Sequence, residues 1–358
     1  MASINHAVKC IAESYPILVE RTKRFIINLI GAPGIGKSSA VYQAAAQLSV
    51  ELSAKLKKEV TVVVRELRIG GRDPADIAGY RIVSGEKTIA TLPDWWPTAD
   101  EPFGILFLDE LAQGMLASMN ALSEIMLDHR LGDFLLPPGW VVVAASNRKA
   151  DRAGVNRVPS QIQDRMLTLN IEVDVDEAKD YAIAHDWVDT IPAYWNYRPA
   201  HLHHLDDQGF GSTQRSWEVV SDLERADLSP DVTSTLIAAA IGGEVSASYS
   251  AFKKYQAELP DLKDLIADPK GWTVEYKPEI TYALIGALST VMAKDPASYA
   301  DAIITYVKRL PKQEFAFCCI ADAERFNARA IAQGEKVKPL SVAKAYTEWL
   351  VDNKDVYI

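Results

Sequence analysis

Gly31-Ala32-Pro33-Gly34-Ile35-Gly36-Lys37-Ser38 is the stretch on which the reading of this chain turns. Gly31 and Gly36, with four residues between them and Lys-Ser directly after, have the spacing of a P-loop. The apolar run Phe25–Ile30 precedes it and a helical pattern, Ser39–Leu48, follows. Strand, glycine-rich turn and helix is the order the motif needs. In that order, successive backbone N–H groups of the turn and of the helix N-terminus point at a polyphosphate. Gly31, Gly34 and Gly36 permit backbone angles and a close approach that a Cβ would block. Lys37 is expected to reach the β- and γ-phosphates of a nucleoside triphosphate, and the Ser38 hydroxyl to ligate Mg²⁺. Gly31, Ala32, Pro33, Gly34, Ile35, Gly36, Lys37, Ser38 and Ser39 are therefore the expected nucleotide-binding residues.

The 358 residues allow about two domains. Hydrophobic residues at 48% and charged residues at 24% place the chain among globular proteins. A net charge of −10 argues against broad binding to a phosphate backbone, a local basic groove aside. Cys10, Cys318 and Cys319 form no CxxC pair, which reads as a reduced, cytosolic chain without structural zinc. The start, Met-Ala-Ser-Ile-Asn-His, has no basic-then-apolar leader. Ile280–Ala293 falls short of the roughly 20 residues that span a bilayer and is expected to be a buried helix, so a cytoplasmic chain with no membrane partner is expected.

Outward from the loop, residues 3–20 read as a helical lead-in and 41–58 as helix. Val60–Leu67, Gly104–Leu108, Trp140–Ser146 and Met166–Ile171 read as further strands. Between the third and fourth strands, Met115, Leu116, Met119, Leu122, Ile125 and Met126 recur at helical spacing. Strands alternating with helices imply a parallel sheet with helices on both faces. Ser84-Gly85-Glu86 between two short β-prone runs predicts a hairpin over Gly79–Leu92, and Leu131–Pro138 a second small hairpin or extended loop. After about Asp174 the strand patterns stop and helical ones continue, so the first boundary is placed near residue 173.

A phosphate cradle binds nucleotide; hydrolysis also needs a carboxylate for the metal and a group to act on water. Ile105-Leu106-Phe107-Leu108-Asp109-Glu110 provides both at the end of an apolar strand. Asp109 is expected to hold Mg²⁺ together with Ser38, and Glu110 to orient or deprotonate the attacking water. Asn147 ends the next buried strand, Val141–Ser146, where ligands of a parallel sheet gather, and is the candidate γ-phosphate or water sensor.

These stretches, with Val158-Pro159-Ser160-Gln161-Ile162-Gln163-Asp164-Arg165, resemble an AAA+ ATPase over roughly residues 25–225, and their order and spacing are similar to its MoxR-like branch. The resemblance implies an α/β fold: a P-loop AAA+ core with a parallel sheet flanked by helices (1–173), then a helical lid (174–270) and a further helical C-terminal region (271–358). It implies that Arg165 is an arginine finger donated to a neighbouring subunit's ATP, with Arg157 as the rival. It also implies that Arg215, at the start of a lid helix, is a second sensor, although Gln214 stands where the family usually has Pro. The implied activity is Mg²⁺-dependent ATP hydrolysis to ADP and phosphate in a homo-oligomeric ring, a hexamer. Such a ring would remodel a protein client, with a von Willebrand factor A domain protein as partner. The hairpin at 79–92 would be a β-insert facing the pore or a partner, or an ordinary edge hairpin. A nucleic-acid motor or loader on the same fold, and an assembly protein without significant turnover, are the alternatives.

Other residues are read conservatively. His201, His203 and His204 lack the i, i+4 spacing that aligns two metal ligands on a helix. Trp95 and Trp96 are expected to be buried. Arg148, Lys149, Arg152, Arg157 and Arg165 form a basic cluster better suited to an intersubunit ATP site than to a nucleic-acid channel.

Overall fold

The apolar runs become strands of one parallel sheet, and the helices between them close over its two faces. The computed structural model describes residues 2–20, 25–148, 151, 156–259, 262–272 and 276–354. The chain separates into two units, Met1–Asp174 and Val175–Ile358.

The first unit runs α1 (Ile4–Glu20), β1 (Ile26–Gly31), α2 (Lys37–Leu56), β2 (Val63–Arg68), α3 (Pro74–Ala78), β3 (Arg81–Ser84), β4 (Lys87–Ala90) and β5 (Phe103–Asp109). It continues with α4 (Leu116–Asp128), β6 (Arg130–Leu131), β7 (Phe134–Leu135), β8 (Gly139–Ser146), α5 (Ser160–Gln163) and β9 (Met166–Ile171). Its main sheet has the order β2-β5-β8-β1-β9, and every neighbouring pair is parallel. Side chains alternate between the two faces along each strand. On one face Ile27, Leu29, Ile105, Phe107 and Val143 meet Ile11 of α1 and Val41 and Leu48 of α2. On the other, Leu106, Leu108, Val142 and Ala144 meet Met119, Leu122, Ile125 and Met126 of α4. Gly104 belongs to this construction: a Cβ there would stand 2.4 Å from the fully buried Trp140 ring, so glycine makes room for the indole.

The second strand is shorter at its start than the sequence predicts. Val60 and Val62 are buried, but their N–H groups donate to Ser53 and Ser49 hydroxyls of α2, at 2.9 Å each, so the ladder begins only at Val63. The 79–92 hairpin forms as β3 and β4, an antiparallel ladder of its own and no part of the main sheet. Its Val83 is 81% exposed and the neighbouring Tyr80 63%. The second small hairpin is β6 with β7. Trp95 and Trp96 are buried and meet edge to face.

The second unit comprises α6 (Val175–Ala184), α7 (Thr190–Tyr197), β10 (His204–Leu205), β11 (Gly211–Ser212), α8 (Gln214–Arg225), α9 (Pro230–Ile241) and α10 (Gly243–Ala257). Then follow α11 (Leu262–Ala267), α12 (Pro278–Lys294), α13 (Pro296–Val307), α14 (Gln313–Ala332) and α15 (Lys344–Asp352). The two-residue ladder of β10 and β11 departs from the strand-free expectation. Asp206 builds its turn by accepting the N–H groups of Gln208 and Phe210. Two apolar cores share α12: Ala283 joins Trp195, Trp217, Tyr249 and Phe252, while Leu284, Ile285 and Leu288 join Ile304, Phe315 and Ile320. Between α6 and α14 lies a buried polar knot. Lys179 Nζ is 2.7 Å from Asp322 Oδ1 and donates to Asn196 Oδ1 at 2.8 Å, and Arg325 closes on Asp322 at 2.9 Å. Ile280–Ala293 lies in α12, whose Leu284, Ile285, Leu288 and Met292 are buried, and no helix among the described residues is long and apolar enough to cross a membrane. The observed fold class is the expected one: an α/β unit with a parallel sheet flanked by helices, followed by a helical region.

Candidate active site

In an all-parallel sheet every strand ends at the same edge, so residues that terminate strands are brought together. β1 runs directly into the 31–38 turn. Gly34 and Gly36 take φ of 73° and 95°, the left-handed region that favours glycine. A Cβ on Gly31 would stand 2.6 Å from Ile35 Cδ1 and 2.9 Å from the Ile171 carbonyl oxygen, so the turn can fold this tightly only with glycine there. α2 begins at Lys37, directly after Gly36, so the N-terminus of the helix lies where the turn ends.

Lys37 is buried, and its ammonium curls back over the turn. Nζ donates to the carbonyl oxygens of Gly31 (2.9 Å) and Ala32 (2.8 Å) and to Asn147 Oδ1 (2.9 Å). Asn147 follows β8, the neighbour of β1, which explains how 110 residues of separation end in a hydrogen bond. Ser38 Oγ donates to Asp109 Oδ2 at 3.2 Å. The other carboxylate oxygen, Asp109 Oδ1, accepts the Glu110 N–H at 2.8 Å. Glu110 itself sits at φ 55°, an unusual conformation for a residue with a side chain, and turns the chain out of β5.

The structure thus brings together Lys37, Ser38, Asp109, Glu110 and Asn147 at one edge of the sheet. The donor set fits a nucleoside triphosphate with Mg²⁺. A glycine-built cradle and a lysine stand ready for phosphate oxygens, and a hydroxyl paired with a carboxylate offers the hard oxygen ligands that Mg²⁺ takes. Asn147 accepts from Lys37 in this arrangement, a bond the sequence reading does not contain.

Arg165 lies elsewhere. Its carbonyl accepts the Ile26 N–H at 3.0 Å, which puts it at the beginning of β1 and β9, the opposite edge from the 31–38 turn. Arg157 is exposed and follows Asn156, whose N–H donates to the Ala112 carbonyl just past Glu110, on the P-loop edge. Arg215 is exposed in the first turn of α8 in the second unit, where Thr213 caps the helix by accepting the Ser216 N–H at 3.2 Å. Within the basic cluster, Arg148 is paired with Asp151 at 3.0 Å; Lys149 and Arg152 lie outside the described residues.

Some supporting residues were not expected from sequence. Ser146 Oγ accepts the Ala112 N–H at 3.2 Å, and Asn156 Nδ2 donates to the Gly114 carbonyl at 2.9 Å. Together they tie the end of β8 and the later loop to the turn that carries Glu110. Their one sequence signal is a polar residue at a strand end or in the loop after it. In the second unit, His201 Nδ1 shares a 2.5 Å hydrogen bond with the Tyr194 hydroxyl, and burial, with His204 and Arg198 nearby, pushes its pKa below the usual histidine value. No group of three or more His, Cys, Asp or Glu side chains suited to a metal occurs among the described residues.

No protein-family model matches this chain, and no curated protein does. Among solved structures it is similar to PCH-2 of C. elegans, with 12% identity and a TM-score of 0.33, over 92% of this chain and 69% of that one. It is also similar to the Aeropyrum pernix ORC1 protein, solved in complex with DNA, with 14% identity and a TM-score of 0.38, over 86% of this chain and 83% of that one.

Proposed function

We propose that this chain is an AAA+ ATPase of the MoxR-like kind, which hydrolyses ATP with Mg²⁺ in a homo-oligomeric ring and remodels a protein partner. The observation that carries the reading is the convergence of Lys37, Ser38, Asp109, Glu110 and Asn147 at the strand ends around the 31–38 turn. Lys37 and the turn's N–H groups hold the phosphates. Ser38 and Asp109 hold the metal, which when bound neutralises charge developing on the transferred phosphoryl group. Glu110 orients the water and takes its proton. Asn147 reports the γ-phosphate through the amide that already touches Lys37. Arg165, at the far edge of the sheet, serves a neighbour's nucleotide, and Arg215 acts from a lid formed by 174–270, with 271–358 as a further helical region. The exposed apolar side chains of the β3–β4 hairpin, Ile82, Val83 and Ile89, support a contact with a protein outside the chain.

The test is Glu110→Gln with ATP, read as mass in solution and as phosphate release. A ring, expected to be a hexamer, should accumulate with turnover reduced to a small residual rate, whereas Lys37→Ala should stay small and bind no ATP. A Glu110→Gln chain that remains monomeric with ATP at high concentration would overturn the ring, and one that still releases phosphate at the wild-type rate would overturn the role of Glu110.

A further inference from the structure

Gly70 and Gly71 follow the end of β2, and the two glycines answer to different constraints. Gly71 has φ of +79°, and a Cβ built on it meets nothing within 4 Å, so its backbone alone accounts for it. Gly70 is not among the positive-φ residues, and its backbone does not call for glycine. Its surroundings do. A Cβ at Gly70 would stand 2.5 Å from Glu110 Oε2, 3.6 Å from Glu110 Cδ and 3.8 Å from Glu110 Cβ, and these are its three nearest neighbours.

Glu110 reaches this notch because of the ladder beside it. Arg68 pairs with Asp109, and the Ile69 N–H donates to the Asp109 carbonyl at 2.9 Å, so residue 70 passes directly alongside the turn at Glu110. The Glu110 backbone is pinned by its left-handed φ and by its N–H bond to Asp109 Oδ1. Its carboxylate has no hydrogen-bond partner among the described residues, and its Oε2 takes up the space that a Gly70 Cβ would fill. Were position 70 to carry a side chain, the part that yields would be the carboxylate, the far end of a flexible chain.

We infer that Gly70 is a positioning residue for the Glu110 carboxylate: its missing side chain is the notch that holds the carboxylate where it acts on water. The inference rests on the proposed role of Glu110. Restoring ordinary contact after Gly70→Ala requires the carboxylate to move by about 1 Å, a misplacement that lowers rate on the order of 10²-fold at a reacting centre.

The experiment measures kcat for phosphate release, Mg·ATP affinity with a fluorescent nucleotide, and Tm, for the full-length wild type, Gly70→Ala, Glu110→Gln and the double variant. Gly70→Ala should lower kcat about 10²-fold, with affinity within about twofold and Tm unchanged. In the Glu110→Gln background it should lower kcat no further, because it acts only through that carboxylate. A wild type without turnover sinks the ATPase reading and this inference together. With an active wild type, the inference alone falls on any of three results: Gly70→Ala at wild-type kcat, a loss that adds in full to that of Glu110→Gln, or a lowered Tm, which would mean the backbone gave way in place of the carboxylate.

Discussion

Arg165 offers a test that depends on distance. The six residues Ile26–Gly31 separate the strand start, where the Arg165 carbonyl meets the Ile26 N–H, from the turn that would hold phosphate. At about 3.3 Å per residue this is roughly 17 Å, beyond the reach of an arginine side chain. It is also about two Debye lengths at physiological ionic strength, so the guanidinium does little to its own chain's nucleotide. Arg165→Ala should therefore leave the Mg·ATP affinity of an isolated chain within about twofold, and lower the assembled turnover by about 10³–10⁵. Complementation makes the neighbour's role explicit. Glu110→Gln keeps Arg165 and assembles with ATP but loses its own hydrolytic carboxylate; Arg165→Ala does the reverse. Mixed in equal amounts before assembly, the two place an intact Glu110 site beside an intact arginine at about a quarter of the head-to-tail interfaces of a ring. Steady-state phosphate release at saturating Mg·ATP should then recover to about a quarter of the wild-type rate, far above either variant alone. A mixture no faster than the average of its two components refutes the placement of Arg165 in trans and turns attention to Arg157, on the P-loop edge.

The remaining expectations concern the site's second contact and the helical unit. Asn147→Asp keeps an acceptor for Lys37 but sets a carboxylate beside the incoming phosphate, so Mg·ATP affinity should fall at least about tenfold by equilibrium titration, whereas Asn147→Ala should bind within about threefold and lose kcat. Asp322→Ala takes the buried counter-ion from Lys179, whose side chain is 3% exposed, and should destabilise the unit by about 3–5 kcal/mol in urea unfolding, while Lys179→Met with Asp322→Leu should recover most of that loss.

The sequence reveals the parts of this molecule that depend on local chemistry. The three central strands were legible because a strand buried on both faces is almost wholly apolar, as Phe25–Ile30 is apart from Asn28, and as Gly104–Leu108 and Val141–Ala145 are throughout. The P-loop was legible because its glycines meet a local steric demand, now visible in the φ values of Gly34 and Gly36. Where the reading slipped, a distant partner had intervened. Val60 and Val62 look like strand residues, but serines seven and thirteen positions earlier take their N–H groups. The β10–β11 ladder escaped because two residues per strand carry no period, although Asp206-Asp207-Gln208-Gly209 held its turn signal. Gly70 was hidden in the same way: its reason is a carboxylate forty residues on, and a Gly-Gly pair after a strand reads as an ordinary turn.

Topology explains which site residues sequence order can group and which it cannot. In this sheet β5, β8 and β1 are parallel neighbours, so whatever immediately follows each apolar run arrives at one edge. Asp109-Glu110 follows β5, Asn147 follows β8, and Gly31-to-Ser38 follows β1; their meeting is a consequence of the strand order, and the Lys37–Asn147 and Ser38–Asp109 bonds are its local expression. Arg165 precedes its strand and so goes to the other edge by the same rule. A residue placed there is out of reach of its own chain's 31–38 turn. If Arg165 acts on phosphate, as proposed, its separation from its own P-loop requires that phosphate to be a neighbour's. On the proposed reading this ties catalysis to assembly: a chain alone would hold nucleotide with Lys37, Ser38 and Asp109, and a neighbour's arginine would complete the charge around it.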